Sequence, residues 1–140
     1  MASRITQKDG MRIVAAIDEA EVKTSCAIRV HVQKRLSGEL MKLAVDRFNE
    51  LGMAASPNRN SVLIYVARDD RQLTIIGDEG IHAKVSEDFW SGTVDAMLAH
   101  FKDDELVEGI VAGVQMAGDS LAKIFPRKGA DAFNGKLTIA

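Results

Sequence analysis

Two short stretches of the chain carry the side chains best suited to bind or transform a ligand. Ser56-Pro57-Asn58-Arg59-Asn60-Ser61 sets two amides and a guanidinium in succession; Gly77-Asp78-Glu79-Gly80-Ile81-His82 frames two carboxylates with glycines and adds an imidazole. Asp78 and Glu79, with Asn58, Asn60 and nearby backbone carbonyls, are the hard oxygen donors that calcium or magnesium takes. Arg59 is suited to hold a phosphate through two parallel N–H···O bonds, and His82 to protonate a leaving alcohol as a general acid. A plainer arrangement uses the same residues: Arg59 pairs with Asp78 or Glu79 and pins two loops together, in a glycine-rich turn whose acids are solvated. Asp69 and Asp70, in Arg68-Asp69-Asp70-Arg71, form an alternative metal site, because ligands gather beyond strand carboxyl ends in open α/β sheets. Turn chemistry also accounts for that pair without a ligand.

The elements that position these residues follow from periodicity. Ile13, Ala16, Ile17 and Ala20 recur at helical spacing over 6–22, with Thr6 as N-cap and Asp9 three residues later. Cys26, Ile28, Val30 and Val32 alternate with Ala27, Arg29 and His31, which predicts a strand with one drier face. A helical stripe of Leu40, Leu43, Ala44, Phe48 and Leu51 ends at Gly52, where a left-handed cap is wanted. The unbroken apolar run 62–67 reads as a strand buried on both faces, and the turn 68–71 folds it back onto a partner at 72–77. A helix is predicted from Ser86, with Glu87 and Asp88 in its first turn. Another is predicted from 103 to 125, closed by Pro126; Gly109, Gly113 and Gly118 lower its helicity and imply close approach to another backbone.

The predicted order is α-β-α-β-β-α-α, an α/β fold in which a small mixed sheet is flanked by helices as an α/β/α sandwich. Its first two strands are parallel and its third antiparallel. Residues 1–126 form the domain and 127–140 a tail. The hairpin carries a consequence for chemistry: the entrance to its first strand and the exit from its second lie at the same end of the sheet. Asn58, Arg59 and Asn60 therefore face Asp78, Glu79 and His82, while Asp69 and Asp70 sit on the opposite rim near Gln33, Lys34 and Arg35.

Composition narrows the function classes. In 140 residues, 46% are hydrophobic and 27% charged, with a net charge of -2, a composition that is neither disordered-like nor strongly polar in one sign and that does not advertise nucleic acid. The single Cys26 has no partner for a disulfide, zinc site or redox pair. It stands six residues before Val32 rather than an arginine, so a cysteine-phosphatase mechanism is not supported. His31, His82 and His100 make no close-spaced ligand motif, and no nucleophile elbow, Walker loop or H-E-x-x-H occurs. The N-terminus lacks a secretory pattern, and the apolar run 109–118 is too short to cross a bilayer. A cytoplasmic protein without a membrane span or nucleic-acid partner is expected. Any phosphatase chemistry would have to rest on metal-assisted attack by water.

Three segments, "TSCAIRVHV", "LGMAASPNRNSVLIYVARDDRQLTIIGDEGIHAKVSEDFW" and "EGIVAGVQMAGDSLAKIFP", together resemble the TPM domain family, also called the TPM phosphatase domain. The resemblance runs from about Ile13 to Pro126, and its most specific parts are "RNSVLIYVA" followed by "IIGDEGI". It implies a compact α/β sandwich of the bacterial type. It also implies a divalent-metal-binding protein, with calcium or magnesium as the cofactor and a phosphomonoester as substrate, because acid phosphatase activity and metal binding are associated with some members. The alternative is a non-catalytic module that binds metal or a protein partner and assists assembly or repair of a larger complex, as in the plant thylakoid members linked to photosystem II repair. Departures from the family pattern are the missing export signal and anchor, Ser61 where Gly more often follows the Asn, and a tail, "DAFNGKLTIA", that is not acidic.

Overall fold

The computed structural model describes residues 5–127 and 137–139. Helix α1, Gln7–Lys23, opens with a reciprocal capping box: Asp9 N donates to Thr6 Oγ1 and Thr6 N to Asp9 Oδ2, each at 3.1 Å. Strand β1, Ala27–Gln33, leads to helix α2, Leu40–Glu50, whose first amides, Met41 N and Lys42 N, donate to the Glu39 carboxylate. Gly52 adopts the left-handed conformation after α2, at φ 69°, and a short 3-10 turn follows at Met53–Ala55. Strands β2, Ser61–Ala67, and β3, Gln72–Gly77, form the hairpin.

The remaining elements are a one-turn helix α3, Glu79–His82, the helices α4, Ser91–Lys102, and α5, Leu106–Ile124, and a three-residue strand β4, Leu137–Ile139. The sheet order is β3-β2-β1-β4, with β1 parallel to both β2 and β4 and β2 antiparallel to β3. All seven residues of β2 are buried, as expected for a central strand covered on both faces. One face meets α1, α4 and α5 in a core that includes Ile17, Val30, Ile64, Phe101 and Val114. The other meets α2 through Ala44, Phe48, Met53, Leu63 and Tyr65. These layers make the mixed α/β sandwich read from the sequence. Cys26 faces the larger core with 0% exposure, and burial pushes its thiol up to about 11, so it acts as a small hydrophobe.

Two helix starts lie later than periodicity placed them. Ser86 does not cap a helix; its hydroxyl donates to Asp88 Oδ1 at 2.7 Å, and the chain turns through Phe89 N→Ser86 O and Ser91 N→Asp88 O before α4 begins. Residues 103–105 close α4 instead of opening α5. Asp103 N and Asp104 N donate to His100 O and Phe101 O, and Asp104 takes a left-handed φ of 60°. Within the stretch 127–140, Arg127 and the strand 137–139 are described; the rest of that stretch lies outside the described residues.

The glycines of α5 mark close approaches. A Cβ at Gly118 would lie 2.6 Å from Ala20 Cβ of α1, and one at Gly113 only 2.2 Å from Met97 Sδ of α4. Ala20 belongs to a short, rigid side chain, so the α1–α5 crossing has little room to give. Gly118→Leu is expected to lower stability by about 1–3 kcal/mol through overpacking, read as a lower urea midpoint with an unchanged slope. An unchanged midpoint would show that the crossing relaxes freely.

Candidate functional site

The register of the hairpin pairs Val62 with Gly77, so the two signature loops meet at one end of the sheet. Arg59, itself at a left-handed φ of 50°, closes a fork on Asp78: Nε donates to Oδ2 and Nη2 to Oδ1, both at 2.8 Å. Its Nη1 lies 3.2 Å from Glu79 Oε2. Asp78 Oδ1 also accepts from Glu79 N at 2.8 Å, so Asp78 is the N-cap of α3. Backbone bonds complete the joint, with Asp78 N donating to Ser61 O and Gly80 N to Arg59 O. Gly80 is required by proximity, because a Cβ there would stand 2.4 Å from Asn58 O.

Asp78 is 6% exposed and both of its carboxylate oxygens accept N–H bonds, three in all. The Arg59 fork holds its carboxyl below the ordinary range; burial opposes this, and the Glu79 amide adds to the lowering. Arg59 is correspondingly raised, chiefly by its bonds to Asp78. Asn60 is also occupied: Nδ2 donates to Ser25 O at 2.8 Å, Oδ1 accepts from Ser56 Oγ at 3.4 Å, and Ala27 N donates to Asn60 O. The loop is thereby tied to the start of β1.

The joint is a wall between two cavities, and the residues singled out by sequence fall on different sides of it. A cleft of about 680 Å³ is lined by Ser25, Asn58, Asn60, Gly80, Lys84 and Phe125. A smaller one of about 270 Å³ is lined by Phe48, Ile76, Arg59, Asp78, Glu79 and His82. Asn58 is exposed in the first; Glu79 and His82 are exposed at the second. Sequence reasoning missed Lys84, whose Nζ lies 5.4 Å from the centroid of the Phe125 ring. The signal for it was the capping pattern of Asp78 followed by Glu79, which starts α3 and carries Lys84 round toward the end of α5.

Asp69 and Asp70 lie on the opposite rim, as the topology requires. Asp70 Oδ2 accepts from Leu36 N at 2.6 Å, Asp69 N donates to Lys34 O, and the Asp69 carboxylate pairs with Arg68 at 3.1 Å. These bonds fasten the hairpin turn to the segment leaving β1. A calcium or magnesium ion needs several oxygens free to turn inward on it. At Asp78 a dication would have to compete with the Arg59 guanidinium, which already bonds both oxygens, so the carboxylate is not a free donor as folded. Among the described residues no three His, Cys, Asp or Glu side chains are grouped to hold a metal ion, and no helix among them is long and apolar enough to cross a membrane.

Comparison with known proteins agrees with the architecture. The family model described as "TPM domain" matches residues 1–120. The solution structure of BA42 protein from the psychrophilic bacterium Bizionia argentinensis is similar at 37% identity and a TM-score of 0.91, covering 100% of this chain and 98% of that one. Two further solution structures share the fold at 15% identity. The N-terminal domain of a P. gingivalis protein has a TM-score of 0.74, with 92% of this chain and 85% of that one covered. The N-terminal domain of cg2496 protein from Corynebacterium glutamicum has a TM-score of 0.67, with 94% and 81% covered. No curated protein matches the chain.

Asp78→Ala is expected to cost about 1 kcal/mol or more from the lost cap, measured by urea unfolding near neutral pH. The pH dependence has a definite sign. The folded carboxyl is depressed below its ordinary 3.8, so its contribution is complete above that value and is lost as pH falls through the folded value. The stability gap between wild type and Asp78→Asn should therefore narrow below about pH 3.8; a gap constant through that range would contradict the assignment.

Proposed function

The chain belongs to the TPM domain family, and from that premise we propose that it is a binding module whose larger cleft takes a phosphate-bearing ligand without hydrolysing it. The observation that carries this reading is the Arg59 fork on Asp78: the arginine and the carboxylate that metal-assisted hydrolysis would require are spent on holding two loops together. Among the described residues lining the cleft, Lys84 is the one charged side chain, with the exposed Asn58 amide and the Ser25 hydroxyl around it. Phe125 and Pro126 add apolar wall. An ammonium, an amide and a hydroxyl beside apolar surface suit a phosphomonoester attached to an organic body. Calcium or magnesium has no necessary part in this binding. Glu79 and His82 line the other cavity, and in this reading they take no part in holding a ligand in the larger cleft.

The test is a calorimetric titration with phosphoserine and with inorganic phosphate, in chelator and again with calcium or magnesium. Saturable binding in chelator, weakened about tenfold in Lys84→Gln by loss of one charge-assisted bond and retained in folded Asp78→Ala, is the expected result. Metal-dependent turnover of a phosphomonoester, abolished in Asp78→Ala with its fold intact, would replace this reading with the hydrolase. No binding of either probe would remove the cleft as the site.

A further inference from the structure

The smaller cavity, about 270 Å³, opens at the edge of the second core. Its floor is apolar: Val45 and Phe48 come from α2, Ala54 from the 3-10 turn and Ile76 from β3. Ala54 and Ile76 are only partly covered, and Val45 keeps 41% of its surface in water. The fold leaves this apolar surface wet, so a ligand that covers it is favoured by the hydrophobic effect. The volume lies just below the range of about 300–1,000 Å³ that suits drug-sized molecules, which points to a small occupant.

The rim sets one charge of each sign above that floor. A guanidinium carries five N–H donors in a fixed plane. Arg59 gives Nε and one hydrogen of Nη2 to Asp78, which leaves the other Nη2 hydrogen and both on Nη1. Among the described residues the partner on that second edge is Glu79, with Oε2 3.2 Å from Nη1. The Glu79 side chain is 75% exposed, so water screens the pair and its geometry gives way easily. The fork on Asp78 uses the Nε–Nη2 edge, so a second carboxylate can take the Nη1–Nη2 edge without breaking it. Glu79, turned away from Arg59, is then a carboxylate ready for a cation.

Neither charge alone describes the occupant. A simple carboxylic acid on Arg59 would meet Glu79 as a like charge, and a simple amine on Glu79 would meet the guanidinium edge. A molecule with an ammonium and a carboxylate on one carbon matches both, and an aliphatic or aromatic side chain on that carbon can cover Val45, Phe48 and Ile76. We propose that the smaller cavity binds a free apolar α-amino acid, its carboxylate on the Nη1–Nη2 edge of Arg59, its ammonium on Glu79 and its side chain on the apolar floor. This site is separate from that of the phosphate-bearing ligand, whose cleft is lined by Asn58, Asn60 and Lys84.

The test is an NMR titration of isotope-labelled protein with L-leucine near neutral pH. Saturating shifts of the Glu79, His82 and Ile76 amides are expected, with a Kd of about 1 mM or tighter, unchanged in Lys84→Gln and in the presence of inorganic phosphate. Glu79→Gln, an exposed change that leaves the Asp78 fork in place, should weaken leucine about tenfold. Arg59 is probed through the ligand, because the fold needs its side chain: leucinamide, without the carboxylate, and N-acetyl-leucine, without the ammonium, should each bind about tenfold more weakly. Glycine, without an apolar body, should not saturate. No saturable shift with leucine, equal binding of leucinamide or N-acetyl-leucine, or wild-type affinity in Glu79→Gln would overturn the proposal. So would shifts confined to Asn58 and Lys84, which would put leucine in the larger cleft.

Discussion

The bidentate bond between Arg59 and Asp78 is the constraint on which the signature end of the sheet depends. Asp78 caps α3, α3 buries Ile81 completely in the main core, and Gly77 leaves room for that isoleucine, since a Cβ there would stand 2.9 Å from Ile81 Cγ2. A buried carboxylate is costly unless its oxygens are satisfied; here three N–H donors, two from Arg59 and one from Glu79, meet them. Arg59 keeps 40% of its side chain in water, which limits its own desolvation while screening the attraction. The pair is therefore better understood as a positional lock than as a large source of stability.

That lock also separates chemistry that the sequence places together. The adjacency of the two loops was legible, because an antiparallel hairpin leaves no other arrangement for residues before its first strand and after its second. The side of the wall on which each residue emerges was not. It depends on the left-handed turn at Arg59, which no residue type announces as glycine would, and on the backbone approach of Gly80 to Asn58 and Arg59. Neighbouring residues consequently reach different cavities.

Elsewhere, long periodic elements were readable and short ones were not. α1, α2, β1 and the β2–β3 hairpin repeat their apolar positions often enough to fix type and face. β4 has three residues and α3 one turn, too few for a period to show. The alternation in β1 marked Cys26, Ile28, Val30 and Val32 as the dry face. It could not reveal that the Tyr65 ring also lies against His31, because that contact comes from the neighbouring strand. Ser86 illustrates the same limit: its type suits a cap, but its bond to Asp88 serves a turn instead.

Asp78 and Arg59 hold each other in a structural lock. A double-mutant cycle with Arg59→Gln and Asp78→Asn, read by urea unfolding in chelator and in calcium or magnesium, tests it most directly. Coupling is expected: the double variant loses less stability than the two single losses added together, to the same extent with and without metal. Additive losses, or stabilisation by metal in the wild type that disappears in Asp78→Asn, would contradict it and return the carboxylate to the role of ligand.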